Sequence, residues 1–177
     1  MKKRKMAILG LALCMSVPAM AQSIPEKAGI NSLMGVAPRT ADFVQIATIS
    51  DMFEIQSSEL ALQNHDPALT GFATRMIEDH KKTSAALQDL LHSGNVQLAP
   101  PTALDESHQD MLDKLKSLHG RDFALQYRSD QITAHQDAVS LFRRYGEGGE
   151  NASLKTWASN TLPTLENHLQ AARALPQ

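Results

Sequence analysis

Residues 69–91 read LTGFATRMIEDHKKTSAALQDLL, and their apolar side chains recur at the spacing of one helical face. At about 100° per residue, His80 lies at the centre of this face, and its apolar neighbours fall within about 60° of it. These neighbours are Leu69, Ala73, Met76, Ile77, Leu87 and Leu91. Because an unpaired ionisable group is costly to bury, a histidine at the middle of an apolar stripe needs a partner inside the protein.

Two other helical stripes also carry a central histidine, and a glutamate borders a fourth stripe. The stripe of His135 contains Ala124, Ile132, Val139 and Phe142, and that of His168 contains Leu154, Trp157, Leu165, Ala172 and Leu175. Glu54 flanks a stripe made of Phe43, Ile46, Phe53, Leu60 and Ala61. Four ionisable groups that point into one core must meet each other, a metal ion or trapped water.

Residues 1–21 have the pattern of an export signal. Residues 2–5 are all basic, the apolar run Met6–Val17 is too short to span a bilayer, and Ala19-Met20-Ala21 is a small-x-small cleavage pattern. We therefore expect cleavage after Ala21 and a protein located in the periplasm of a Gram-negative bacterium. The single cysteine, Cys14, lies within the signal, so the mature chain is expected to lack disulfides and thiolate metal sites.

The remaining chain has the size and composition of one helical domain. Without the four basic signal residues, the 17 Lys and Arg residues fall to 13, against 19 Asp and Glu residues. This acidic balance argues against a nucleic-acid partner, which requires a basic face. No later apolar run is long enough to span a membrane. The pattern predicts a flexible leader over residues 22–40 and an all-α domain over residues 41–177.

Helical periodicity in this domain runs over four stretches. Tight turns are indicated at residues 64–67 and 146–149, and a longer connection joins the second and third helices. The third helix is expected to be interrupted near Gly120, and the fourth to be kinked at Pro163. Two tight turns and one longer link favour an up-down-up-down four-helix bundle.

In that topology both tight turns lie at the same end, and the rise of about 1.5 Å per residue gives the depth of each polar group below them. Depths of roughly 16, 22 and 20 Å place Glu54, His80 and His135 in one layer. His168 falls at roughly 30 Å, nearer Gln131. We therefore expect three groups to share a pocket, with His168 within one further turn.

Two interpretations of this cluster remain open. Glu54, His80, His135 and His168 are ligand types that suit one divalent ion, such as Zn, Fe or Mn, in a helical core. The alternative is a hydrogen-bonded or water-filled polar layer, for which the available partners are Thr161, Thr164, Ser84 and Gln131. A di-iron site is not expected because no Glu-x-x-His motif is present. The residues three positions before the histidines are Ile77, Ile132 and Leu165.

Several blocks of this sequence resemble the bacterial family called domain of unknown function 4142, over about residues 40–175. The blocks are Phe53-Glu54, Phe72-Ala73-x-Arg75-Met76-Ile77-x-Asp79-His80, Gly120-x-x-Phe123-x-x-x-Tyr127-x-x-x-Gln131-x-x-x-His135 and Leu162-Pro163-x-Leu165-x-x-His168-Leu169. The resemblance implies a ferritin-like fold and export, without an established activity. The family's motif positions match Glu54, Asp79, His80, Tyr127, Gln131, His135 and His168.

One position departs from the family's pattern. The family usually carries Asp directly after the motif phenylalanine, whereas this chain has Ala124 there and Asp122 before Phe123. Ala124 lies on the same helical face as His135. The departure therefore removes an acidic group that could help to neutralise a metal ion.

The sequence favours a non-enzymatic envelope or stress-related binding protein with a buried Glu/His cluster, for which one divalent metal ion and a polar layer both remain open. Asp79, Tyr127 and Gln131 are expected around the metal ligands rather than among them. One alternative is a degenerate metallo-oxidase in which Tyr127 transfers an electron or a proton. A second alternative is a periplasmic holdase-like chaperone, which would need a large exposed apolar concavity.

Overall fold

The computed structural model describes residues 22–27, 29–93, 96 and 98–177, and the regular structure within them is helical. This confirms the predicted all-α class. The helices are α1 (Ile24–Lys27), α2 (Ile30–Leu33), α3 (Thr40–Gln63), α4 (Pro67–Ser93), α5 (Glu106–Ser117), α6 (Gly120–Gly148) and α7 (Ala152–Arg173). Across the described part of the chain, no helix combines the length and apolarity needed to cross a bilayer. The predicted signal, residues 1–21, lies outside the described residues.

Side-chain caps mark the start of three helices. Asp66, Asp105 and Asn151 each accept a hydrogen bond from a backbone N–H in the first turn of the helix that follows, α4, α5 and α7 respectively. Helix α4 begins at Pro67, directly after the Asp66 cap. Pro163 lies inside α7, which is one continuous helix, and the kink expected there stays a prediction.

The four long helices pack in a ring in which α3 and α7 each contact both α4 and α6. The neighbouring helices α3 and α6 run in opposite directions. Phe43, near the start of α3, stacks on Tyr145, near the end of α6, with 3.9 Å between ring centroids. Ser58, near the end of α3, hydrogen-bonds to Tyr127, near the start of α6, at 2.8 Å. The up-down-up-down prediction is therefore wrong, because it makes the first and third long helices parallel.

The physical reason is the path of the chain between α4 and α6. The interruption predicted near Gly120 exists: Leu118 and His119 are extended, and Gly120 has a φ of 54°. However, α5 does not continue into α6 as one interrupted helix. Its packing against α3 and α6 brings the chain from the end of α4 to the opposite end of the molecule, where α6 begins. As a result, α4 and α6 run in the same direction.

The core consists of two apolar clusters. One includes Phe43, Leu87, Val139, Phe142, Tyr145, Leu154 and Leu165. The other includes Ala61, Leu69, Met76, Phe123, Tyr127 and Ala172. Each long helix contributes to both clusters, and the predicted polar residue of each helix lies between its two contributions. His80, for example, lies between Met76 and Leu87 along α4. The polar groups therefore form a layer between two apolar parts of the core.

The segment interpreted from sequence as a flexible leader contains α1 and α2 and contacts the long helices. The Glu26 carboxylate pairs with the buried guanidinium of Arg144 at 2.9 Å. Ser23 donates hydrogen bonds to Asp42 from both its backbone and its side chain. These contacts satisfy two buried charges of the domain, because Arg144 and Asp42 are both almost inaccessible to solvent.

Candidate metal centre

Three histidines from three helices meet in the polar layer. His80 of α4, His135 of α6 and His168 of α7 each offer one ring nitrogen, and these three atoms lie within 4.8 Å of one another. The ring centroids are 5.4 to 5.6 Å apart, and all three side chains are buried. The sequence prediction that the histidine stripes converge is consistent with this geometry. His168 lies level with the others rather than one turn away.

The depth predicted for His168 was too large because the count began at Gly148. The structure ends α6 at Gly148 and starts α7 only at Ala152, so the residues between them add no helical rise. Counted from Ala152, His168 is about 24 Å along its helix, close to the 20 Å of His135 counted from Gly148. The predicted layer agrees with the structure although the predicted topology is wrong. This is because the layer lies near the middle of the molecule, at a similar distance from either end.

His80 is held by a carboxylate that the sequence analysis did not select. Its Nδ1–H donates to Oδ1 of Asp51 on α3, 2.8 Å away. The hydroxyls of Thr83 and Ser84 donate to Oδ2 of the same carboxylate, at 2.8 and 2.9 Å. Burial disfavours a charged ring here, but the hydrogen bond and charge of Asp51 prevail and raise the pKa of His80.

His135 is oriented by its own helix. Its Nδ1–H donates to the backbone carbonyl of Gln131, one turn earlier, at 2.8 Å. Burial and the nearby charge of His80 lower the pKa of His135 to about 3. The ring is therefore neutral at physiological pH, with a lone pair on Nε2.

His168 takes its orientation from Asp79. The Nε2–H of His168 donates to Oδ2 of Asp79 at 3.1 Å, and Lys82 donates to the other oxygen of the same carboxylate. Asp79 therefore orients His168 rather than His80, its neighbour in the sequence. On a helix, adjacent residues project about 100° apart, so Asp79 faces α7 while His80 faces the core.

The nitrogen of each ring that is not used in these hydrogen bonds faces the interior. His80 Nε2, His135 Nε2 and His168 Nδ1 are inaccessible to solvent and have no hydrogen-bond partner among the described residues. Buried polar atoms are nearly always satisfied by protein, water or an ion. In a neutral ring whose outer nitrogen carries the proton, the inner nitrogen is an acceptor of the kind that binds metal ions.

Glu54 lies beside the ring of His135. Its side chain is buried, and neither carboxylate oxygen has a hydrogen-bond partner in the described structure. Oε1 lies 3.6 Å from His135 Nδ1, too far for a good hydrogen bond, and that N–H already binds a carbonyl. Burial raises the pKa of Glu54 to about 7, although the charge of His80 opposes this.

Tyr127 and Gln131 have partners of their own. The Tyr127 hydroxyl is 2.8 Å from the Ser58 hydroxyl, and burial raises the pKa of Tyr127 above its usual range. The Gln131 side chain donates to the Ser57 hydroxyl at 3.2 Å, and its Oε1 is buried without a partner. Gln131 thus contributes to the layer through its carbonyl and its free amide oxygen, whereas the Tyr127 hydroxyl is occupied by Ser58.

The missed residues share one sequence signal. Asp51 precedes Glu54 by three positions and Ser57 and Ser58 follow it by three and four, a spacing that places them near Glu54 on α3. By contrast, Ala124, where the family's acid is missing, lies 11 residues before His135, about 16 Å along α6. An acid at that position would not reach the three histidines.

A family model described as "Domain of unknown function (DUF4142)" matches residues 26–175. The chain belongs to the DUF4142 family. The DUF4142 match covers α3 to α7 and therefore all four residues predicted as metal ligands. Comparison with curated proteins and with solved structures finds no match.

Proposed function

We propose that this DUF4142 protein is an exported binding protein that holds one divalent metal ion. The ligands are His80 through Nε2, His135 through Nε2 and His168 through Nδ1, with the Glu54 carboxylate as the fourth. The supporting observation is that these three inner nitrogens are buried and unpartnered while each outer nitrogen is fixed by an acceptor. Such outer hydrogen bonds are the usual companions of metal-bound histidines.

The polar-layer alternative fits these atoms less well. A purely structural cluster of histidines should pair the rings with each other or with nearby donors. Here one nitrogen from each ring lies within 4.8 Å of the other two, and none of the three inner nitrogens has a partner among the described residues. A cation can take up the lone pairs of all three rings, whereas water would have to donate a hydrogen bond to each of them.

The donor set suggests which ions to test. Three imidazoles and one carboxylate suit Zn, Fe or Mn, and zinc commonly takes four such ligands in tetrahedral geometry. With four protein ligands and no solvent access at the nitrogens, the site favours retention of the ion over catalysis. A metallo-oxidase that uses Tyr127 is disfavoured because the Tyr127 hydroxyl binds Ser58.

The fold belongs to the same proposal. We infer a ferritin-like four-helix bundle, because that class joins its second and third long helices by one long crossover, the role that α5 and its flanking residues have here. The export proposal rests on the signal pattern of residues 1–21. It is tested by the mass of protein recovered from the periplasm, which should begin at Gln22.

Metal content tests the function. Protein purified under native conditions should contain about one equivalent of Zn, Fe or Mn by elemental mass spectrometry, and His135→Ala should lose it. His92→Ala is the matched control, because His92 is exposed and, among the described residues, its ring hydrogen-bonds to the Gln88 carbonyl of its own helix. Equal metal content in both variants, or none in the unaltered protein after incubation with each ion, would refute the proposal.

A further inference from the structure

Asp51 is a buried carboxylate that connects two helices at the level of the histidines. Its side chain is 9% exposed, although it lies on α3 with no lysine or arginine paired to it among the described residues. Its three hydrogen-bond donors, His80, Thr83 and Ser84, occupy one face of α4. Both carboxylate oxygens of Asp51 therefore accept hydrogen bonds. The spacing of the three donors along α4 places them on the same side of that helix.

The acceptors of the three histidines differ in charge and burial. His135 donates to a neutral carbonyl. His168 donates to Asp79, whose side chain is 28% exposed and is shared with Lys82. Asp51 is the one acceptor of the three that is both anionic and buried, and charge interactions strengthen as solvent is excluded.

We propose that Asp51 is the principal positioning residue of the metal site. It keeps the proton of His80 on Nδ1, so that Nε2 presents its lone pair to the ion. Together with Glu54 it also supplies the two negative charges that balance a divalent cation in a buried site. This inference rests on the proposed function, because it assigns Asp51 a role toward the same ion.

The first test compares metal affinities of three carboxylate-to-amide variants. Asp51→Asn keeps the shape but removes the charge, and we expect a 10- to 100-fold weaker affinity for Zn²⁺, the range found when outer-shell partners are lost. Asp79→Asn should weaken the affinity for Zn²⁺ less than Asp51→Asn does, because Asp79 is partly exposed. Asp42→Asn should bind as the unaltered protein does. Asp42 is the matched control, since it is also buried and hydrogen-bonded but through Ser23 and Arg39.

The second test needs no metal. Nitrogen-15 chemical shifts of the imidazoles at alkaline pH should place the proton of His80 on Nδ1 in the metal-free protein, and a proton on Nε2 would overturn the proposal. If Asp51→Asn does not fold, the double variant Thr83→Val, Ser84→Ala replaces it, because it removes two donors that hold Asp51. That variant should then bind Zn²⁺ more weakly.

The outcomes separate the two proposals. If the unaltered protein binds no metal, the proposed function fails. If it binds metal and Asp51→Asn or the double variant binds equally well, only the role of Asp51 is overturned. The role of Asp51 is also overturned if Asp51→Asn weakens the affinity for Zn²⁺ no more than Asp79→Asn does.

Discussion

Glu54 is the residue that most directly links the charge of the cluster to stability. In the metal-free protein, burial raises the pKa of Glu54 from its usual value of 4.5 to about 7. Between these two values the unfolded chain releases a proton that the folded protein retains. The contribution of Glu54 to stability therefore falls as pH rises through this window.

We predict that Glu54→Gln removes this fall in stability with rising pH. Relative to the unaltered metal-free protein, the variant should gain about 3 kcal/mol of unfolding free energy between pH 4.5 and pH 7. Urea unfolding in the presence of a chelator at a series of pH values measures this difference. His135 acts in the opposite direction in both proteins, since its neutral folded form makes stability rise with pH up to its unfolded pKa, and this effect largely cancels in the comparison. A difference that is constant with pH would contradict the assignment.

At the scale of elements, α5 is the helix whose position the sequence does not reveal. It is amphipathic, and it buries Leu112 and Leu115 against the long helices. The ring of His108 at its first turns contacts Phe53 of α3, with centroids 5.5 Å apart. These contacts hold the crossover on the outside of α3 and α6, beside the segment of α3 that carries Glu54.

We predict that Leu115→Ala destabilises the protein by about 2–5 kcal/mol, because it creates a cavity where a fully buried leucine packs in the second apolar cluster. Leu125→Ala is the control, since Leu125 is partly exposed and such surface changes usually cost less than about 0.5 kcal/mol. Thermal or urea unfolding compares the two. Equal effects would mean that α5 does not pack as described.

Faces of helices could be predicted from this sequence, and connections between helices could not. Periodicity identified the inward positions of His80, His135 and His168 because a helix fixes the direction of each side chain. It gave no information on whether the chain continues or turns back at residues 118–119, since a break in helical pattern looks the same in both cases. The sequence also does not reveal that Asp79 pairs with His168, because this contact depends on which helix lies alongside α4.

In the same way, the residues of the site could be predicted where they depend on the faces of single helices, but not where they depend on how helices pack. Glu54 and the histidines stood out because charged groups on apolar stripes are unusual. Asp51 did not stand out, because it projects about 80° away from Phe43 and Ala61, the nearest residues of the predicted stripe, where a solvated aspartate is expected. Its role follows from α4 presenting His80, Thr83 and Ser84 to it, and that contact depends on how α3 and α4 are packed.

At the scale of the whole molecule, the polar layer lies between two apolar clusters, and all four long helices contribute to both clusters. Each long helix contributes one proposed ligand, so an ion bound by all four residues would link the four helices. An ion that binds the folded protein alone stabilises it by mass action, by about 2.7 kcal/mol at a free concentration of 100 times Kd. The metal-loaded protein should accordingly unfold at a higher temperature than the metal-free protein, and His135→Ala should abolish the difference.

Anomalous diffraction from crystals of the zinc-loaded protein, collected on both sides of the zinc absorption edge, tests the central claim most directly. The account predicts one anomalous peak per chain between the three rings, about 2.0–2.1 Å from His80 Nε2, His135 Nε2 and His168 Nδ1, with a Glu54 oxygen at about the same distance. A peak elsewhere with these nitrogens unligated, or ordered water in their midst with no peak, would contradict it.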